Sequence, residues 1–141
     1  MILRLVVAGA AVSALAACGS SGGEARLVDD TGLSDSADGG GWVALVPAER
    51  AQDLWSAAGA SPGDDLRHAA VPLTRALVES VGGLARTVSD GGDFELSLTG
   101  PVLVCRMPEG ASRTRGCAET ELVDGDSLVL TWGEGGLGID D

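Results

Sequence analysis

The chain has 141 residues, with 21 acidic residues, nine Arg and no Lys, and its formal net charge is −12. This length gives room for one folded domain. Such an acidic surface disfavours nucleic acid as a partner and gains no attraction to anionic lipid headgroups. With three Trp, one Phe and no Tyr, the core must rely on Val, Leu and Ala, and we expect it to be small.

The amino-terminal segment has the three-part pattern of an export signal. Arg4 and the amino terminus form a short positive region, and an apolar region runs from Leu5 to Leu15. Small residues then precede Cys18. The apolar stretch is too short for a transmembrane helix, which needs about 20 residues.

The quartet Leu15-Ala16-Ala17-Cys18 resembles the lipobox of bacterial lipoprotein precursors, and the Arg, Gly and Ala bias is similar to that of actinobacterial lipoproteins. The resemblance implies that signal peptidase II recognises Leu15, Ala16 and Ala17 and removes residues 1–17. It implies that Cys18 carries the lipid and holds the protein on the extracytoplasmic face of the cell membrane. The alternative is an ordinary secretory signal with Cys18 as a free thiol.

Two segments without apolar periodicity are predicted to be flexible. Residues 18–41 begin with the lipidated Cys18 and are rich in Gly, Ser and Asp, which is typical of a disordered linker. Residues 133–141 are Gly-rich and acidic, and we expect a flexible tail. The folded domain is therefore predicted to span residues 42–132.

The first half of this domain has mainly helical patterns. A short strand is predicted for Trp42–Val46, and Pro47 can start a helix whose apolar face recurs at helical spacing as far as Ala58. Gly59 would end that helix. A second helical pattern covers residues 64–81, where Pro72 either kinks one helix or starts a new one.

The second half has strand patterns. The predicted strands are Leu84–Val88, Asp93–Leu98, Val102–Met107, Ala118–Val123 and Ser127–Trp132. Asp124-Gly125 lies between the last two strands and predicts a β-hairpin. The resulting fold class is α+β, a small antiparallel sheet with two or three helices packed on one face, after the disordered linker.

The cysteines form an even pair once Cys18 is assigned to lipid. Export to an oxidising compartment then favours a disulfide between Cys105 and Cys117. A metal site is the alternative, but it lacks further Cys, and His68 is the single histidine of the chain. We therefore predict no metal site, and no motif indicates a cofactor.

Three Arg residues form a local charge reversal around the predicted disulfide. Arg106, Arg113 and Arg115 could form a docking loop for an anion or a protein partner, because guanidinium groups suit carboxylate and phosphate recognition. Alternatively, they lie in a solvated hairpin tip and pair with Glu119 and Glu121.

His68 is required for any Ser-His-Asp site, because it is the only histidine. The simpler interpretation is a local pair with Asp64. Three Trp residues could line a ligand groove or belong to the core, namely Trp42, Trp55 and Trp132. Carboxylates cluster at predicted turns, including Asp90 with Asp93 and Glu95, but none has EF-hand spacing for calcium.

The sequence therefore favours a membrane-anchored lipoprotein whose domain is a binding or accessory module of the cell envelope, with a protein partner or a small ligand. This hypothesis predicts an exposed patch or groove on the sheet or at the Arg loop. A small envelope hydrolase is one alternative and requires His68 or paired carboxylates in a pocket. A passive structural surface lipoprotein is the other and predicts neither feature.

Overall fold

The strands of this chain form two sheets that pack face to face. The computed structural model describes residues 23–31, 36–125 and 127–140. The first sheet has five strands: β1 (Glu24–Asp29), β2 (Ser36–Ala37), β5 (Asp93–Glu95), β8 (Ser127–Gly133) and β9 (Gly136–Asp140). The second has four: β3 (Trp42–Pro47), β4 (Leu84–Thr87), β6 (Gly100–Met107) and β7 (Cys117–Leu122).

The order of the first sheet is β2-β1-β8-β9, with β5 also paired to β1, and the order of the second is β4-β3-β6-β7. Strands β1 and β8 run parallel. The other named strand pairs are antiparallel. The architecture is a β-sandwich.

The central strands β3 and β6 of the second sheet are buried on both faces, which explains their continuous apolar runs. Val43 and Leu45 point into the core between the sheets, where they meet Leu27 and Leu130 of the first sheet. Their neighbours in the chain point to the opposite face, where a second apolar cluster includes Trp55 under the helical segments. Because side chains alternate along β3, this strand contributes to both apolar clusters.

The first predicted helix is confirmed. A 3-10 turn at Ala48–Arg50 leads into helix α1 (Ala51–Ala58). Leu54 and Trp55 are its buried residues. Gly59 ends it in the left-handed conformation with φ of 70°, which favours glycine.

The second helical pattern, residues 64–81, is wrong in both of its alternatives, since it forms neither one helix kinked at Pro72 nor a helix that starts there. Leu66–His68 forms a 3-10 turn, and helix α2 covers only Arg75–Ser80, capped by the Thr74 hydroxyl. The backbone between them bonds to a distant segment instead. Val71 N–H donates to the Thr114 hydroxyl at 2.9 Å, and Thr114 N–H donates to the Val71 carbonyl at 2.9 Å.

The predicted α+β class is also wrong, because the described residues are mostly strands in two sheets and α1 is the one helix among them longer than six residues. Three strands lie in segments that we predicted to be flexible. β1 and β2 lie within the predicted linker, and β9 lies within the predicted tail.

The β1 strand carries a signal that the Gly- and Ser-rich composition around it conceals. Ala25 and Leu27 are buried while Glu24 and Arg26 between them are exposed, which is the period of a half-buried strand. In β9 the glycines permit close packing. A Cβ at Gly138 would lie 2.7 Å from a terminal nitrogen of Arg67.

The Asp124-Gly125 hairpin is wrong as well. Strands β7 and β8 flank this turn but belong to different sheets. The hairpin partner of β8 is β9, joined through the turn between Gly133 and Gly136. A turn signal is local and does not fix which strands pair across it.

The disulfide between Cys105 and Cys117 is confirmed. The two residues lie directly opposite each other on β6 and β7, with Cα atoms 4.1 Å apart. Closing a loop with a sequence separation of 12 residues stabilises the folded state by about 3 kcal/mol through the entropy of the unfolded chain.

Within the described residues, no helix is long and apolar enough to cross a membrane. The predicted signal peptide, its recognition residues and the lipid attachment at Cys18 lie outside the described residues. The anchor therefore stays a prediction from the sequence.

Candidate functional site

Arg106, a predicted docking residue, is fully buried. Its side chain is 0% exposed and its Nε donates to the Asp38 carboxylate at 3.2 Å. The terminal nitrogens donate to backbone carbonyls, including those of Trp42 and Met107. A buried cation needs such a set of acceptors. Arg106 therefore secures the fold and is not available to a partner.

Asp38 also binds Arg115, so one carboxylate serves two guanidinium groups. A terminal nitrogen of Arg115 lies 2.6 Å from Asp38 Oδ2. The Arg115 guanidinium lies over the Trp132 ring, 4.9 Å from its centroid, at cation–π distance. Asp38, and not Glu119 or Glu121, is the ion-pair partner of the described Arg residues at this hairpin.

Arg113 is the exposed member of the three. One of its terminal nitrogens donates to the Ala70 carbonyl at 3.3 Å, and its backbone forms an isolated bridge with Pro72. The predicted docking loop therefore does not present a cluster of three Arg side chains to solvent. Instead, Arg106 is buried, Arg115 is ion-paired with Asp38, and Arg113 is exposed but bonded to a backbone carbonyl.

His68 pairs with Asp65 rather than with Asp64. The Nδ1 atom of His68 lies 2.7 Å from Asp65 Oδ2. The partner is three residues away because Leu66–His68 is a 3-10 turn, with three residues per turn. This hydrogen bond raises the pKa of His68 above its ordinary value of 6.5 and lowers the pKa of Asp65 below its ordinary value of 3.8.

The environment of His68 does not fit a general base. Its Nε2 lies 3.2 Å from the Glu134 carbonyl oxygen, so both ring nitrogens face acceptors. The ring also meets Trp132 edge-on, with centroids 6.0 Å apart. A general base needs an unprotonated nitrogen aimed at a nucleophile, and neither nitrogen is so placed. The described residues also contain no group of three or more possible metal ligands.

The three Trp side chains have different surroundings. Trp55 packs in the apolar cluster under α1. Trp42 is partly buried, with the Arg75 guanidinium 5.3 Å from its ring centroid. It lines a groove of about 330 Å³ that also includes Arg75 and Glu109. Trp132 packs between Arg115 and His68.

A larger groove, which we call the β4–β5 groove, lies between the two sheets at one side of the sandwich. Its volume is about 730 Å³. Strand β4 is the edge of the second sheet, and β5 pairs with β1 in the first. The groove is lined by residues of β1, β4, β5 and the β4–β5 connection: Glu24, Ala25, Ala85, Arg86, Thr87, Ser89, Asp93, Phe94 and Glu95.

The rim of the β4–β5 groove is acidic. Glu24, Asp93 and Glu95 are exposed, whereas Phe94 is only 5% exposed and belongs to the core. Among the described residues that line the groove, Arg86 is the single cation. The groove therefore has a negative rim, and Phe94 contributes little accessible surface to it.

Arg86 also leaves a hydrogen-bond donor unused. Its terminal nitrogen donates to the Ser97 hydroxyl, but its Nε is buried without a hydrogen-bond partner. A buried donor without a partner carries a free-energy cost. Arg86 Nε is thus an unsatisfied buried donor of a residue that lines the groove.

The sequence did not predict this groove, although it carries a partial signal. In Asp93–Glu95 an apolar residue alternates with two carboxylates, which predicts that the acidic side chains share the face opposite Phe94. Their neighbour Glu24 lies in the segment that composition assigns to a linker. Its position opposite Glu95 follows from the pairing of β1 with β5.

No protein-family model matches this chain, and no curated protein matches it. Among solved structures, it is similar to a Pseudomonas aeruginosa protein that is provisionally described as a carbohydrate binding protein. The two share 14% identity with a TM-score of 0.45, over 80% of this chain and 88% of the other. A likeness at this level carries no argument about the function of this chain.

Proposed function

We propose that this chain is a lipid-anchored binding module on the extracytoplasmic face of the cell membrane, and that the β4–β5 groove is its binding site. The lipobox-like quartet ending in Cys18 supports the anchor. The groove supports the binding role, since its volume of about 730 Å³ lies within the usual range of ligand sites.

The observation that carries this proposal is the position of the groove between two strand edges. β4 ends the second sheet, and β5 pairs with β1 alone among the described strands. Edge strands offer backbone groups to an added extended segment. The occupant that fits is therefore an extended peptide segment of a protein partner.

The charges of the rim favour a cationic segment. Three carboxylates, those of Glu24, Asp93 and Glu95, line the groove with one guanidinium, and the whole chain carries a formal charge of −12. Basic side chains of the segment would pair with the rim, and its backbone would pair with the free edge of β4 or β5.

A titration with a synthetic peptide tests this function. The probe is an extended hexapeptide that alternates Lys and Val, compared with a hexapeptide that alternates Glu and Val. We expect the basic peptide to bind more tightly than the acidic one, by calorimetry at low ionic strength. Glu95→Lys should weaken this binding, because it reverses one rim charge.

Glu121→Lys is the matched control. Glu121 is also an exposed strand glutamate, but it lies on β7 and outside the groove. The two variants change the net charge equally, so a specific site predicts a loss in Glu95→Lys that exceeds the loss in Glu121→Lys. Equal losses, or no binding of either peptide, would reject the groove as the site and favour a passive structural role.

A further inference from the structure

We infer that the β4–β5 groove is held close to the bilayer and receives an extended basic segment of an integral membrane protein, at the point where that segment leaves the membrane. This inference rests on the proposed function, including the anchor at Cys18. It adds the class of partner and the orientation of the domain on the membrane.

Only a short length of chain separates the proposed anchor from the fold. The described part of the sandwich begins at Gly23, whose carbonyl accepts from Leu96 N–H at 3.1 Å. Five Cα–Cα steps separate Cys18 from Gly23. Whatever conformation the intervening residues take, covalent geometry limits their reach to about 18 Å.

Strand β1 cannot easily leave the sheet to extend this reach. It is paired on one side with β8 over six residues and on the other with β2 and β5. Leu27 on β1 is 0% exposed in the core. Detaching β1 would expose this core and open the first sheet, so the limit of about 18 Å between Cys18 and Gly23 holds for the folded protein.

The β4–β5 groove lies at the end of the molecule that is nearest to the proposed anchor. Glu24, the first residue of β1, lines the groove and lies opposite Glu95 on β5. The groove therefore begins one residue beyond Gly23. The opposite end of β1 lies near Trp132, since Asp30 N–H donates to the Trp132 carbonyl at 2.9 Å. The cluster of His68, Arg115 and Trp132 thus lies away from the anchor.

The negative charge of the rim favours a basic protein segment over a lipid headgroup as the occupant of the groove. The exposed carboxylates of the rim repel the anionic headgroups of the bilayer, so the groove does not fit a lipid phosphate. A basic segment is attracted to the same rim. About 18 Å corresponds to five or six extended residues, so a short segment outside the membrane is long enough to reach the groove.

Site-specific photocrosslinking of the full lipidated protein in its own membranes tests this inference. The photoreactive residue replaces Thr87, an exposed residue of the groove, or Ser56, an exposed residue of α1 outside the groove. We expect the Thr87 probe to crosslink to an integral membrane protein and the Ser56 probe not to do so. Glu95→Lys should reduce the Thr87 crosslink, and Glu121→Lys should not.

A longer linker then tests whether binding depends on a short distance between the groove and the membrane. We would insert a Gly/Ser segment of about 20 residues between Gly22 and Gly23, which increases the linker about fivefold. The crosslink yield at Thr87 should fall about tenfold, because effective concentration falls as roughly the −3/2 power of linker length. The same protein in detergent should bind the Lys/Val hexapeptide as tightly as the protein without the insertion.

The outcomes separate the two proposals. An unchanged yield after the insertion, a crosslink to lipid or to a soluble molecule, or no crosslink at all would overturn the inference. If the hexapeptide still binds with charge specificity, the proposed function survives that result. If the protein without the insertion fails to bind the hexapeptide, the proposed function itself is wrong.

Discussion

Asp38 neutralises the one fully buried guanidinium among the described residues. Its carboxylate accepts from Arg106 and from Arg115, and its side chain is 14% exposed. It also connects the segment before β3 to the disulfide-linked hairpin of β6 and β7. A buried cation whose partner is lost has no access to water as a replacement. We therefore expect Asp38 to be among the least replaceable polar residues of the fold.

Asp38→Asn should destabilise the protein by about 3–5 kcal/mol, because it leaves the Arg106 charge buried without its counter-charge. The free energy of unfolding in urea measures this effect. Asp53→Asn is the control, since Asp53 pairs with Arg50 in an exposed ion pair that contributes about 0–1 kcal/mol. Equal losses in the two variants would show that the Asp38–Arg106 contact is not a buried ion pair.

The pair of His68 and Asp65 should make stability depend on pH. The pKa of His68 is raised above 6.5, so its contribution is present below pH 6.5 and is lost as pH rises through the folded-state pKa. The pKa of Asp65 is lowered below 3.8, so its contribution is present above pH 3.8 and is lost as pH falls through the folded-state pKa. The pair therefore stabilises most between these values.

His68→Gln should lower the melting temperature more at about pH 5.5 than at about pH 8.5. The effect should be small, because both side chains are about half exposed and water screens their charges. An identical change at both pH values would mean that His68 is not protonated against Asp65 in the folded protein.

At the scale of elements, the stability contributed by β1 distinguishes the observed β-sandwich from the flexible linker that composition predicts for the same residues. Leu27→Ala should destabilise the protein by about 2–5 kcal/mol, because Leu27 is fully buried between the sheets. Val123→Ala is the control, since the Val123 side chain is 59% exposed. A Leu27→Ala variant as stable as the Val123→Ala variant would support the flexible linker that composition predicts.

The elements that the sequence predicts well are those with local signals. The apolar runs of β3 and β6, the apolar face of α1 and the stop at Gly59 depend on neighbouring residues. The disulfide follows from counting cysteines. The residues from Leu66 to Ser80 also show a helical pattern, but bonds to Thr114 hold their middle part extended, and a distant partner is not visible in a local pattern.

The elements that the sequence misses depend on partners far along the chain. Arg106 and Asp38 are 68 residues apart, so the local cluster of Arg residues suggests an exposed loop where the fold buries one of them. The β4–β5 groove has walls from β1, β4 and β5. Its existence depends on how the two sheets pair and pack, which no single segment determines.

At the scale of the whole molecule, the proposed anchor and the groove belong to the same end. The first described residue bonds to Leu96, and the next residue lines the groove. A lipid on Cys18 would therefore limit how far the groove can lie from the membrane, since at most about 18 Å of chain separates Cys18 from Gly23.

Cys18→Ala should leave an uncleaved precursor that lacks lipid, because the sulfur that accepts the lipid is absent. The measurement is the intact mass of the protein extracted from membranes, compared with wild type. Wild type should begin at Cys18 and carry the added mass of lipid. A wild-type protein that is cleaved normally but carries no lipid would contradict the anchor.

The most direct test of the binding site is to map where the basic Lys/Val hexapeptide binds. Backbone amide shifts of the isotope-labelled protein would be recorded during the titration. We expect the largest changes at Thr87, Ser89 and Phe94 in the groove, with small changes at His68 and Trp132 at the far end. Changes centred on His68 and Trp132, or spread evenly over the acidic surface, would contradict the assignment of the groove.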